Sequence, residues 1–268
     1  MNNTFGFIGA GNMGGALAKA AAKAMAPENI TLADQLTEKA AALAGQIGCR
    51  CADAEAVART CQYIFLGVKP QVMGAMLSQI GPVLKARTDR FVLVSMAAGV
   101  AISDIRRMAG GDYPVIRIMP NIPVSVGGGV ILYDTTDNVT QEETRVFCES
   151  MAFAGLADRL SEKLIDAGSA LSGCGPAFVS LFIEALADGA VACGLPRNQA
   201  TAYAAQTLAG TAKMILESGI HPGALKDAVC SPGGTTIAGV NALEQGGFRA
   251  CAMEAVLAAY HRTLELGK

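Results

Sequence analysis

Apolar and polar positions divide this chain into two unlike halves. Phe5-Gly6-Phe7-Ile8 predicts a buried strand, residues 12–25 a helix, and Pro27 the end of that unit. Ile30–Ala33 predicts a second strand and residues 37–44 a second helix closing near Gly45. Further apolar runs at 63–68, 91–95 and 115–119 predict three more strands, the first closed by Lys69-Pro70. Strands separated by helical patterns imply βαβ units and a parallel sheet. After Pro120-Asn121-Ile122-Pro123 the rhythm changes. Residues 129–133 read as a strand, and Thr140 with Glu143 has capping-box spacing, opening a helix to about Phe153. Residues 157–160 make a last short strand. Beyond Ser161 the pattern turns wholly helical, with helices predicted over 178–193, 197–218, 222–229, 235–245 and 248–266. Gly194, Gly219, Ser231-Pro232-Gly233-Gly234 and Gly246-Gly247 punctuate them. The expected fold class is α/β: an α/β domain over residues 1–160, then an all-helical domain over 161–268.

Composition narrows the class further. The chain of 268 residues is 51% hydrophobic and 16% charged, so a substantial core is available. Abundant alanine and few aromatics suit closely packed helices better than a β-sandwich. A net charge of −2 argues against nucleic acid as a partner. The alanine-rich stretches are broken by Lys, Glu, Gly or Pro short of a span, so no membrane crossing is expected. The start of the chain lacks the basic segment of a secretory signal, and eight cysteines without a CxxC pair suit reduced thiols, so the expected location is cytoplasmic. No metal-ligand cluster is expected.

Gly9-Ala10-Gly11-Asn12-Met13-Gly14 follows the first strand at Ile8 and opens a helix. In that context the spacing predicts a dinucleotide site. Gly9 permits the tight turn, Gly11 lets a pyrophosphate approach the backbone, and Gly14 lets the helix pack on its strand. The helix's free N–H groups then hold the phosphates. Asp34, twenty residues after Gly14, stands where an acidic residue bonds the ribose hydroxyls of NAD and repels a 2′-phosphate. The cofactor is therefore NAD(P)H with a lean to NADH, Lys39 being placed to compensate for NADPH. The competing reading of Asp34 is a cap of the next helix. Gly67, Val68, Lys69 and Pro70, and then Met96, Ala97 and Ala98, end strands at the sheet edge where α/β folds bind ligands.

In the second half, Ser231-Pro232-Gly233-Gly234-Thr235-Thr236 predicts a tight loop running into a helix. Its free N–H groups and three hydroxyls make a site for a small carboxylate. A plain N-cap is the competing reading.

Taken in order, six segments resemble the pyrroline-5-carboxylate reductase family from end to end. They are Gly9–Gly14, Val68-Lys69-Pro70, Ala97-Ala98-Gly99-Val100, Met119-Pro120-Asn121-Ile122-Pro123, Leu171–Ala177 and Lys226–Gly239. The resemblance implies reduction of 1-pyrroline-5-carboxylate to L-proline. It implies a Rossmann-type dinucleotide-binding domain followed by a helical dimerisation domain, with two helical domains interlocking as a homodimer and dimers assembling further into rings. It places Ser231, Gly234, Thr235 and Thr236 around the substrate, Thr236 beside the ring nitrogen, and Gly67–Pro70 and Met96–Ala98 against the cofactor. Asp34 departs from the Ser or Arg that many members carry there.

Two other readings compete. A related imine or hydroxyacid dehydrogenase would share the plan, but Lys213 and Lys226, the candidates for the hydroxyacid enzymes' lysine, lack the flanking Asn pattern. A non-enzymatic NAD(P)H-sensing regulator would not need the 231–236 loop.

Overall fold

The structure, a computed structural model, describes residues 3–266. Its first part runs β1 (Phe5–Ile8), α1 (Asn12–Ala24), β2 (Ile30–Ala33), α2 (Thr37–Ile47), β3 (Arg50–Cys51), α3 (Ala54–Thr60) and β4 (Tyr63–Leu66). It continues through α4 (Pro70–Ala86), β5 (Val92–Ser95), α5 (Ile102–Ala109), β6 (Val115–Pro120), β7 (Gly129–Thr135), α6 (Gln141–Ser150), β8 (Gly155–Arg159) and α7 (Glu162–Ser172). The strands form one sheet in the order β3-β2-β1-β4-β5-β6-β7-β8. Every neighbouring pair is parallel except β6 and β7. That exception departs from the expected parallel sheet. Only Asn121, a 3-10 turn, Ile122–Val126, and two glycines join these strands, too little chain for a parallel crossover.

Both faces of the sheet are covered, which is why its central strands read as unbroken apolar runs. On one face Phe5, Phe7, Phe65 and Phe147 pack with residues of α1, α2 and α6, and Phe7 stacks on Phe65 with ring centroids 4.3 Å apart. On the other, Met73, Leu77, Ile80 and Leu84 of α4 meet Ile64, Leu66 and Leu93. The apolar spacing of α4 survives Pro82 inside it. The sequence reading left α3, α4, α5 and α7 unassigned. It also stopped α2 at Gly45, which lies inside the helix, whereas the cap is Gly48 at φ +80°.

The capping box of α6 forms as expected. Thr140 N–H donates to Glu143 Oε2 at 2.8 Å, and Glu143 N–H to Thr140 Oγ1 at 3.1 Å. Arg90 adds a bidentate pair, Nε to Oε1 at 2.7 Å and Nη2 to Oε2 at 2.9 Å. Burial pushes the Glu143 carboxyl up, but Arg90 and Thr140 outweigh it and hold the carboxyl below its ordinary 4.5. The folded pKa is thus below the unfolded one. The stability Glu143 contributes is complete above pH 4.5 and is lost as pH falls through the depressed folded value. Glu143→Ala is expected to cost about 2–3 kcal/mol at pH 7 through the lost cap and charged hydrogen bonds. Calorimetry should also find a flatter fall of Tm below pH 4.5 than in wild type.

Beyond Gly173 the chain is helical: α8 (Gly175–Ala192), α9 (Arg197–Ser218), α10 (Pro222–Ala228), α11 (Thr235–Gln245) and α12 (Phe248–Leu266). Three of these five match the predicted bounds. Residues 174–259 form a second compact unit, and residues 260–266 belong to the first. Helix α7 also belongs to the first unit and buries Ile165 and Ala170. In the second unit the buried apolar residues, among those described, are Ala187, Ala200 and Ala204. Leu181, Tyr203, Met214, Leu216 and Met253 are all more than half exposed.

One expectation needs correction here. Among the described residues, the helical stretch Glu162–Ala192 has the length and apolar composition to cross a membrane. Its interruptions, Glu184 and Asp188 among them, are too sparse to pull its mean hydropathy down. The stretch is split at Gly173-Cys174 into α7 and α8.

Candidate active site

The parallel register brings the predicted cofactor residues to one edge. Ile8 lies beside Ala33 and Leu66, and Leu66 beside Ser95, so the segments that follow β1, β2, β4 and β5 leave the sheet together. Strand order reverses between β1 and β4, the switch point where doubly wound sheets bind ligands.

At that point Gly9 has φ +109°, and a Cβ on it would lie 2.4 Å from the Gly67 carbonyl oxygen. A Cβ on Gly14 would meet the Gly9 carbonyl oxygen at 2.1 Å. A Cβ on Gly11 would have nothing within 4 Å. The turn is therefore closed at its two ends and open in its middle. Gly11 is the N-cap of α1, with no side chain capping it. The N–H groups of Asn12, Met13 and Gly14 find no protein acceptor among the described residues. An open cleft of about 480 Å³ borders the turn, lined by Ala10–Asn12, Gly15, Lys19, Lys39, Gln46 and Ser125 among others. This arrangement fits a dinucleotide: exposed backbone donors, a helix N-terminus, and ammonium groups within the same cleft.

Asp34 does not cap α2, whose N-cap is Leu36 with no side-chain bond. Its Oδ2 accepts from the Ala10 N–H at 2.8 Å and its Oδ1 from the Leu36 N–H at 3.0 Å. The carboxylate thus braces the glycine turn from the end of β2. Lys69 is the exposed N-cap of α4 and Pro70 its first residue. Ala98 is exposed and Met96 half-buried, whereas the Ala97 methyl lies in the core, as does most of Ile8. Those two can face a ligand only through the backbone. Sequence reasoning missed Lys19 and Ser125. Lys19 shares a helix face with Asn12 and Gly15, a spacing that was legible. Ser125 reaches the cleft through the 3-10 turn and had no local signal.

The 231–236 loop lies in the second unit. Gly234 N–H donates to the Ser231 carbonyl at 3.0 Å, closing the turn, and a Cβ on Gly234 would lie 2.3 Å from Ser231 Oγ. Gly234 is the N-cap of α11, so neither Thr hydroxyl caps that helix. The N–H groups of Thr235, Thr236 and Ile237 have no protein acceptor among the described residues, and Ser231, Thr235 and Thr236 are exposed. A plain N-cap does not describe this loop. It is a set of unused donors with hydroxyls beside them, suited to a small carboxylate. His221 is accounted for locally: its Nδ1 accepts from the Gly223 N–H at 3.1 Å, capping α10.

Two family models match the chain. Residues 162–266 match the family described as pyrroline-5-carboxylate reductase dimerisation. Residues 4–99 match NADP oxidoreductase coenzyme F420-dependent. The chain is 42% identical over 271 residues to the pyrroline-5-carboxylate reductase of Escherichia coli (strain K12), covering 100% of both.

The chain belongs to the pyrroline-5-carboxylate reductase family.

Its members are oxidoreductases acting on a C=N bond with a nicotinamide cofactor. Solved structures of the family share the fold along the whole chain. A pyrroline-5-carboxylate reductase from Coxiella burnetii superposes with TM-score 0.92 at 30% identity, covering 100% of each chain. That of Plasmodium falciparum, with NADP bound, gives 0.86 at 32%, covering 100% of this chain and 99% of that one. The α/β domain followed by helices, expected from the pattern of apolar positions, is the family's architecture.

Proposed function

We propose that this enzyme reduces 1-pyrroline-5-carboxylate to L-proline, holding the substrate carboxylate on the N–H groups of Thr235, Thr236 and Ile237. The observation that carries this reading is the uncapped start of α11, closed by Gly234 and flanked by hydroxyls. The Thr236 hydroxyl bonds the ring nitrogen and orients it, and Ser231 completes the pocket wall. When bound, the nicotinamide would supply a hydride to the C=N carbon of the protonated imine, the π pair of the C=N bond passing to the nitrogen. A protonated iminium is electrophilic enough that no strong general acid is needed, so the protein's contribution is positioning and electrostatics. The N–H groups of Asn12–Gly14 would hold the phosphates, while Gly67–Pro70 and Met96–Ala98 would border the rest of the cofactor. Oxidation of NADH or NADPH on adding the pyrroline, with ketoacids as controls, tests the reading. Turnover of ketoacids alone would overturn it.

Asp34 supports NADH as the donor. Its carboxylate is held by two backbone N–H groups and cannot swing aside for a 2′-phosphate. Lys19 and Lys39 in the adjoining cleft are the observation that favours NADPH. Asp34→Ser is expected to move the ratio of kcat/KM toward NADPH by about tenfold or more, roughly 1.4 kcal/mol. A wild-type enzyme that already prefers NADPH strongly would remove Asp34 from this role.

The second unit supports self-association as a homodimer, with rings of dimers as the larger assembly. A unit whose buried apolar residues are three alanines, carrying Leu181, Met214 and Leu216 exposed, lacks a core of its own. The same argument assigns α8, the second part of the apolar stretch Glu162–Ala192, to a protein interface in a cytoplasmic enzyme rather than to a membrane, while α7 already buries Ile165 and Ala170 in the first unit. We place the functional boundary near residue 160, the helices beyond it forming the dimerisation and substrate domain. Sedimentation at micromolar concentration tests this; a monomer there would overturn it.

A further inference from the structure

The loop Met96–Ala101 joins β5 to α5 and has Gly99 at φ +72°. Its first end is fixed by the sheet, since Ser95 pairs with Arg117. Its second end is fixed from far away. Ala101, the N-cap of α5, makes no side-chain cap. The Ile102 N–H donates instead to Glu162 Oε1 at 2.8 Å, sixty residues along the chain on α7. That same oxygen accepts from Arg117 Nη1 at 3.0 Å, and Asp166 lies 3.5 Å from Nη2. The Glu162 N–H is held in turn by Asp134 Oδ2 at 2.7 Å, and Asp134 is the cross-strand neighbour of Arg117.

This is a costly way to hold a helix end. The Arg117 side chain is 5% exposed, and its Nε has no hydrogen-bond partner. A methionine would fill the space without stranding that donor. What the guanidinium adds is a fixed direction for the Glu162 carboxylate, and through it a fixed Ile102 N–H. The hydrogen bonds therefore locate both ends of the one loop whose exposed residues end β5 at the switch edge.

We infer that Glu162 and Arg117 are positioning residues for hydride transfer, holding Met96–Ala98 where the nicotinamide is oriented. The inference rests on the reading that this loop borders the nicotinamide. The adenosine half of the cofactor depends on the glycine turn and Asp34, which make none of these bonds. The two halves should therefore respond separately to substitution.

Three variants test this. Glu162→Ala removes the cap of Ile102, and is expected to lower kcat about 10- to 100-fold, the loss typical of a misplacement near 1 Å. The dissociation constant of ADP-ribose, which lacks the nicotinamide, should stay within about twofold of wild type, since its contacts are untouched. Glu162→Gln keeps the acceptor oxygen and should recover most of kcat. The double variant E162A/R117M removes the buried guanidinium that Glu162→Ala would leave with Asp166 as its one acidic partner, so it keeps the test open if the single variant does not fold. It should remain as slow as Glu162→Ala. Recovery of kcat in the double variant, or parallel losses of kcat and ADP-ribose binding, would show a purely structural role and overturn the inference. Ala98→Leu separates the underlying reading. A slow Ala98→Leu beside a normal Glu162→Ala sinks only the positioning role. A normal Ala98→Leu sinks the placement of the nicotinamide.

Discussion

Gly14→Ala is expected to weaken NAD(P)H binding about 100-fold, or about 2.7 kcal/mol, while leaving a folded protein. A Cβ at this position would sit 2.1 Å from the Gly9 carbonyl oxygen, a backbone atom with no flexible side chain to give way. The start of α1 must then move off the turn, carrying the N–H groups of Asn12, Met13 and Gly14 away from the phosphates. Gly11→Ala makes the informative contrast. Gly11 has φ −70° and nothing within 4 Å of a Cβ, so its alanine brings no strain and no clash. Tm should be unchanged, yet binding should still fall, because the methyl enters the space the pyrophosphate takes. Fluorescence titration of NADH or NADPH with each variant, beside its melting curve, reads both effects. Binding within threefold of wild type in both would remove this turn from the cofactor site.

Thr236→Ala is expected to lower kcat/KM for the pyrroline about 10- to 1,000-fold, roughly 1.4–4 kcal/mol of transition-state stabilisation. Thr236 is exposed and caps nothing, so its loss should change stability by less than about 0.5 kcal/mol. Thr236→Ser keeps the hydroxyl and should stay near wild type, whereas Thr236→Val keeps the shape and should resemble alanine. Steady-state kinetics with varied pyrroline distinguishes these outcomes. Wild-type kinetics in a folded Thr236→Ala or Thr236→Val would take the hydroxyl out of the mechanism and leave the N–H groups alone as the carboxylate site.

Several pieces of the fold were legible because their signals are local. The apolar run Phe5–Ile8 is buried on both faces, and Thr140 and Glu143 close on each other across three residues. Helices α9, α11 and α12 stand at their predicted bounds because glycines or proline bracket them. Helix α4 was missed although Met73, Leu77, Ile80 and Leu84 keep helical spacing, since Gly74, Gly81 and Pro82 mask it by propensity. Strand β3, two residues long, exists through its pairing with β2 and carries almost no pattern of its own.

The sequence by itself determined the dinucleotide turn, the α/β-then-helical order and the 231–236 loop, each written in neighbouring residues with φ, capping or periodic requirements that only a few side chains meet. Tertiary structure decided what those residues do to one another. It set the Asp34 carboxylate as a brace on the Ala10 N–H, excluding the competing reading of a helix cap, and made Gly67 the packing partner of Gly9. It ran β7 against β6, and gave the first N–H of α5 to Glu162 on α7. Each of those outcomes joins groups between ten and sixty residues apart in the chain, where pairing depends on how the sheet is ordered and twisted, not on any local preference.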